Sequence, residues 1–201
     1  MLNIKLKLLN TEIYISFLFI CLITFMIAID RTGYVIPTGI FVILHELGHL
    51  FAMWLFECSP KRIKLVPHSI EITRGFSKKP YGETVIAFMG PLVNLVLFGV
   101  FYLNYLYFKQ SILLTFSLLN LIIAIFNLLP LTNLDGGTIV FNIVAKRFGI
   151  EKATKTVAIL TIIAGFSILT FGFYVLINGN FNPSLFIIAI YLLITPLVKL
   201  G

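Results

Sequence analysis

The chain has 201 residues, of which 59% are hydrophobic and only 11% charged; ordinary soluble domains carry about 25% charged residues, so a soluble globular protein is excluded and a polytopic membrane protein indicated. The net charge of +7 comes from short basic clusters between apolar segments, without the aromatic-basic surface of a nucleic-acid binder, so these residues read as topology determinants and nucleic acid is excluded as a partner. Cys21 lies in one apolar run and Cys58 at the edge of another; with no C-x-x-C spacing and no secreted-scaffold context, both read as apolar packing rather than a disulfide or thiolate metal site.

Lys5 and Lys7 precede a first apolar run, 13–29, which ends Ile27-Ala28-Ile29-Asp30 without a small-x-small cleavage pattern. It is therefore a retained span rather than a secretory signal. Further runs at 34–56, 84–108, 112–131, 157–177 and 186–198 complete six predicted transmembrane helices in an all-α fold, the last short of the usual need for about 20 residues. Between the second and third lies the longest polar interval, 59–83. There Ile63, Leu65, Ile70 and Ile72 alternate with Arg62, Lys64, Ser69, Glu71 and Thr73 around Pro67-His68, which predicts a small cytoplasmic β-hairpin with His68 as a solvated turn residue. With a cytoplasmic N-terminus, that side receives Lys5, Lys7, the basic residues of 61–79 and 146–155, and Lys199, while the other side receives only Arg31 and Lys109. This asymmetry is what the positive-inside rule expects, and it places both termini in the cytoplasm. The reading is of one transmembrane domain, 1–201, with a core at 34–147 and two accessory spans within 157–198.

His45-Glu46-Leu47-Gly48-His49 sits inside the second run. Histidines at i and i+4 share one helix face and can share a zinc ion, while the adjacent glutamate can take a proton from water at the metal. Burying Glu46 in a span costs roughly 2.5 to 3.5 kcal/mol on insertion scales, so an ionisable residue here points to function. A hydrolytic zinc takes three protein ligands and keeps one position open. Glu12, Asp30, Glu57, Glu71, Glu83 and Glu151 lie at span ends or in loops, whereas Asp135 closes the fourth run in Asn127-Leu128-Leu129-Pro130-Leu131-Thr132-Asn133-Leu134-Asp135-Gly136-Gly137. Eleven residues past Tyr34, His45 is about 16 Å deep, near the bilayer midplane. A continuous helix would carry Asp135 too far, so the chain after Asn127 is predicted to unwind or fold back around a wet pocket, helped by Pro130 and the Gly136-Gly137 pair.

Together with Gly90-Pro91-Leu92-Val93-Asn94 in the third run, these blocks resemble the ordered motifs of the site-2 protease family of intramembrane zinc metalloproteases, over roughly 40–147. The resemblance implies one zinc per chain, with His45, His49 and Asp135 as ligands and Glu46 as catalytic acid-base. Gly90, Pro91 and Asn94 read as structural, through a close helix approach, a kink and an interhelical hydrogen bond. Asn127 reads either as a substrate or oxyanion contact or as a structural residue of a kinked helix. Within the family, Arg62-Ile63-Lys64 after the helix and Asn127-Leu128-Leu129-Pro130 look most like the sporulation stage IV branch, which processes a sigma-factor precursor. The chain is expected to lack that branch's C-terminal nucleotide-sensing CBS domain, and to lack the PDZ insertion of the envelope-stress branch. Implied partners are a membrane-associated or single-span regulatory substrate such as a sigma-factor precursor or anti-sigma factor, an inhibitory membrane partner and the lipid of a bacterial cell membrane; the predicted hairpin is expected to hold substrate by strand addition. The rival readings are a metal-ion transporter without peptidase activity, which would need polar groups beyond Thr161, Ser167 and Thr170 along the last two spans, and a metalloprotease with Glu71, Glu83 or Glu151 as third ligand.

Overall fold

Alternation at the N-terminus, Ile4-Lys5-Leu6-Lys7-Leu8, builds a strand before any helix begins. The structure, a computed structural model, describes residues 3–8, 11–58, 60, 62–66, 69–73, 79, 81–178 and 183–200. It divides into two compact units, Met1–Ala124 and Ile125–Gly201.

In the first unit, β1 (Asn3–Leu8), β2 (Thr11–Ser16), β3 (Arg62–Val66) and β4 (Ser69–Thr73) form one sheet in that order. β1 and β2 are antiparallel, β2 and β3 parallel, and β3 and β4 antiparallel, with Ile63 opposite Ile72 and Leu65 opposite Ile70. The antiparallel β3–β4 pair expected after the second helix is thus present, inside a larger sheet; Pro67 and His68 lie outside the described residues. The parallel β2–β3 pair forces the chain between them to leave the sheet and return, which it does through α1 (Phe17–Ile29) and α2 (Val35–Leu55). Glu12 links the strands: it accepts from Lys5 at 2.9 Å, Tyr14 at 3.0 Å and Arg62 at 3.4 Å.

Two expectations need correction. The apolar run at 13–29 is not one helix, because residues 13–16 belong to β2 and the helix keeps 13 residues. The fold is also not all-α, since β1 and β2 extend the hairpin to four strands. Among the described residues, four helices are long and apolar enough to cross a membrane: α2, α3 (Gly82–Phe108), α4 (Ser111–Leu128) and α6 (Ile150–Ile177); Phe17–Ile29 and Pro183–Pro196 are shorter apolar helices. Large side chains such as Leu103, Phe166 and Ile187 are more than half exposed, as lipid-facing residues are.

Asp30 starts α2. Its carboxylate accepts from the backbone N–H groups of Thr32, Gly33 and Val35 and from the Thr32 hydroxyl at 2.6 to 3.1 Å. The Thr32 hydroxyl first, then the N–H groups of Val35 and Thr32, hold its pKa down to about 2. Gly48 lets α2 approach α3, for a Cβ there would lie 2.7 Å from the Met89 carbonyl oxygen. Phe41, Phe101 and Phe116 meet edge-on, with each pair of centroids 5.6 Å apart, joining α2, α3 and α4 at one level.

The second unit begins in the last turn of α4 and continues through α5 (Asp135–Phe148), α6 and α7 (Pro183–Leu200). The predicted break after Asn127 is present, since residues 129–134 are not helical. Gly149, at φ +89°, turns the chain from α5 into α6. Gly165 and Gly172 bring α6 against Leu193 and Phe186 of α7, the small-residue packing that closely approaching apolar helices require.

Candidate metal centre

His45 and His49 lie near the middle of α2. Position 45 is ten residues from either end of Val35–Leu55, about 15 Å along the axis. Both rings are buried, at 4% and 8% exposure. His49 Nδ1 donates to the Ile86 backbone carbonyl at 2.7 Å, and His45 Nδ1 donates to Asn94 Oδ1 at 2.6 Å. The Asn94 orientation follows from its other end, where Nδ2 donates to Asn120 Oδ1 at 2.9 Å and to the Phe41 carbonyl at 3.4 Å. In the neutral rings, an Nδ1 committed as donor leaves the lone pair on Nε2.

The two Nε2 atoms are 3.2 Å apart. Two nitrogens bound to one tetrahedral zinc at 2.0 to 2.1 Å stand about 3.3 Å apart, so the spacing, tautomers and donor chemistry all fit zinc. Gly90 of α3 faces the pair: a Cβ on it would lie inside van der Waals contact of both Nε2 atoms, 2.6 Å from that of His45. Glu46 is half-buried in the same turn of α2.

The remaining predicted residues belong to the second unit. Asn127 lies half-buried in the last turn of α4, Pro130 lies in the break, and Asp135 is the first residue of α5. The glycine pair acts by its lack of side chains rather than by a left-handed backbone. A Cβ on Gly136 would meet the Leu128 and Leu129 carbonyls, and one on Gly137 the Leu131 carbonyl, so α5 starts tucked under the end of α4. Asn133 takes the left-handed conformation at φ +71°.

Several positioning groups were not identified from sequence. Asn94 was expected to form an interhelical hydrogen bond, but its partner, a ligand-type imidazole, was not foreseen; Asn120 and the Ile86 carbonyl were missed altogether. Thr161, by sequence only a scarce polar group in the fifth span, has a hydroxyl that accepts the Thr132 N–H at 2.8 Å and bonds the Thr132 hydroxyl at 2.9 Å, while donating to Val157. The available signal was a polar residue inside an apolar run, but each run holds several, as 112–131 does with Thr115, Ser117, Asn120 and Asn127. Ser167 and Thr170 donate to carbonyls of their own helix, and Glu151 is exposed and pairs with Lys155 at 2.6 Å.

Residues 109–171 match Peptidase family M50. The chain is 35% identical over 123 residues to Zinc metalloprotease MJ0392 of Methanocaldococcus jannaschii, a match covering 58% of this chain and 36% of that protein. It is 30% identical over 118 residues to Stage IV sporulation protein FB of Bacillus subtilis, covering 57% of this chain and 41% of that one. The matched segment therefore spans about two fifths of these relatives' length. The fold superposes on the Site-2 Protease from Methanocaldococcus jannaschii with a TM-score of 0.70 at 26% identity, covering 97% of this chain and 94% of that chain.

Proposed function

We propose, from the Peptidase family M50 (site-2 protease) domain that this chain carries, that it is an intramembrane zinc metalloprotease cleaving a peptide bond in or near the membrane-associated segment of a regulatory protein. The proposed ligands are His45, His49 and Asp135, one zinc per chain. Two imidazole nitrogens and a carboxylate oxygen are a set that can hold a metal ion, and three protein ligands leave the open position that hydrolysis needs. The bound metal would supply a Lewis acid for the substrate carbonyl and make water acidic near neutral pH. Glu46 takes a proton from the attacking water and delivers it to the amide nitrogen as the C–N bond breaks, so one water is consumed per bond cut. Asn127 is the proposed substrate or oxyanion contact.

The observation that carries this reading is the His45–His49 pair, buried at mid-helix with both Nδ1 atoms spent as donors and both Nε2 atoms turned together. Chemistry then belongs to the core, 34–147, with the spans of 157–198 as support. The basic clusters argue for cytoplasmic termini and a cytoplasmic sheet. One relative is a sporulation protein of a bacterium; the proposed setting is a bacterial cell membrane, the proposed substrate a sigma-factor precursor or anti-sigma factor, and the proposed regulator an inhibitory membrane protein.

The substrate helix must unwind locally to expose its peptide bond, and β4, an edge strand, offers main-chain groups to the extended segment. Ile70→Pro or Ile72→Pro removes a backbone N–H from that strand and should lower cleavage several-fold; unchanged cleavage would argue against strand addition. The central test is co-expression with candidate single-span precursors, comparing the natural chain with Glu46→Gln. Loss of about 10²- to 10⁴-fold in cleavage rate is expected, the usual worth of a positioned acid-base, and undiminished cleavage by the variant would refute the assignment.

A further inference from the structure

Asn120 is fully buried in α4, in the middle of an apolar run, and its side-chain hydrogen bonds run to Asn94 and Phe116 rather than to a histidine. Its Nδ2 donates to the Phe116 carbonyl of its own helix at 2.9 Å, so its Oδ1 faces α3 and accepts from Asn94 Nδ2 at 2.9 Å. Asn94, also fully buried, must then present Oδ1 to His45 Nδ1. Each bond fixes the direction of the next, and the series starts at a backbone carbonyl, which can only accept.

We infer that Asn120 and Asn94 form a two-amide relay that locks His45 in its Nδ1–H tautomer, making Asn120 a positioning residue for a metal ligand from two side chains away. The inference rests on the proposed zinc site, but the tautomer itself is a property of the metal-free protein. If Asn94 flipped, its NH₂ would face His45 Nδ1; the ring would then carry its proton on Nε2 and offer no lone pair there. The 3.4 Å bond from Asn94 to the Phe41 carbonyl is too long to prevent this alone. His49 needs no such relay, because its Nδ1 partner is a backbone carbonyl with no second orientation.

The test compares Asn120→Leu with Asn120→Asp in detergent-solubilised full-length protein. The leucine variant removes the acceptor. An aspartic acid kept neutral by burial restores both bonds, its O–H donating to Phe116 and its carbonyl oxygen accepting from Asn94. ¹⁵N spectra of the three histidines in metal-free protein report the tautomer, and chelator competition reports zinc affinity. The relay predicts a single Nδ1–H form for His45 in the natural chain and in Asn120→Asp. In Asn120→Leu it predicts a mixture, with zinc bound about 10- to 100-fold more weakly, the usual effect of losing a ligand's hydrogen-bond partner. Asn120→Ala replaces the leucine variant if that does not accumulate. A His45 tautomer unchanged by Asn120→Leu would overturn the relay, as would equal loss of affinity in the leucine and aspartate variants, which would mark Asn120 as packing. If the natural chain bound no zinc, the metal reading would fail while the tautomer measurement still decided the relay.

Discussion

At position 90, alanine would be the better helix former by about 1 kcal/mol, yet the site forbids it. A methyl group there would occupy the space in front of both His45 and His49 Nε2 atoms, and neither ring can retreat without breaking its Nδ1 bond. Gly90→Ala should therefore yield protein with little or no zinc by elemental analysis and no measurable cleavage. Gly99, in the same helix, has nothing within 4 Å of its Cβ position, so Gly99→Ala should keep both and gain up to ~1 kcal/mol in stability. Stoichiometric zinc in Gly90→Ala would contradict the geometry. The H-E-x-x-H spacing made His45, Glu46 and His49 legible, because i and i+4 share a helix face whatever the surroundings. Asn94's bond to His45 was not legible, since it depends on which face of α3 meets α2, and no local pattern encodes that. Gly90 was expected to allow a close helix approach, and the structure adds that it clears space for two nitrogens.

The break between α4 and α5 shows the same division at the scale of elements. Pro130 and the glycine pair announced that the helix would stop, and depth arithmetic required it. What holds the broken segment could not be read, because it comes from Thr161, on another helix and 29 residues from Thr132. Replacing Thr161 by valine keeps shape but leaves the buried Thr132 N–H without its acceptor, at a cost of about 1 to 3 kcal/mol. Exchange of the Thr132 amide should quicken by about 5- to 150-fold, with cleavage falling in parallel because Asp135 sits three residues on. An unchanged exchange rate would show that the hydroxyl does not hold the segment. Three elements escaped detection, β1, β2 and α5; β1 (Asn3–Leu8) falls ahead of every apolar run. β2 was absorbed into the first apolar run because hydropathy takes no account of period, although Ile13 and Ile15 alternate with Glu12, Tyr14 and Ser16 as strand residues do. α5 carries too few consecutive apolar residues to register as a span and ends in Lys146-Arg147.

Across the whole molecule, the parallel pairing of β2 with β3 constrains topology more tightly than charge counting does. The chain leaves the sheet through α1 and returns to it through α2, so the 30–34 turn lies at the far end of both helices. α2, with 21 residues, is about 31 Å long and can cross a hydrocarbon core of about 30 Å. α1, with 13, reaches only about 20 Å, so a bilayer beside it must thin or the sheet must enter the interface. In the proposed orientation the two ends of this hairpin of helices face opposite sides. In a Cys21→Ser, Cys58→Ser background, an impermeant thiol reagent should label Lys64→Cys only from the cytoplasm and Thr32→Cys only from outside. Exchange of the two patterns would invert the proposed orientation and leave the fold intact. Labelling of both from one side would mean that α1 and α2 do not cross the membrane, and the helix carrying His45 and His49 would then lie at the surface rather than at mid-bilayer.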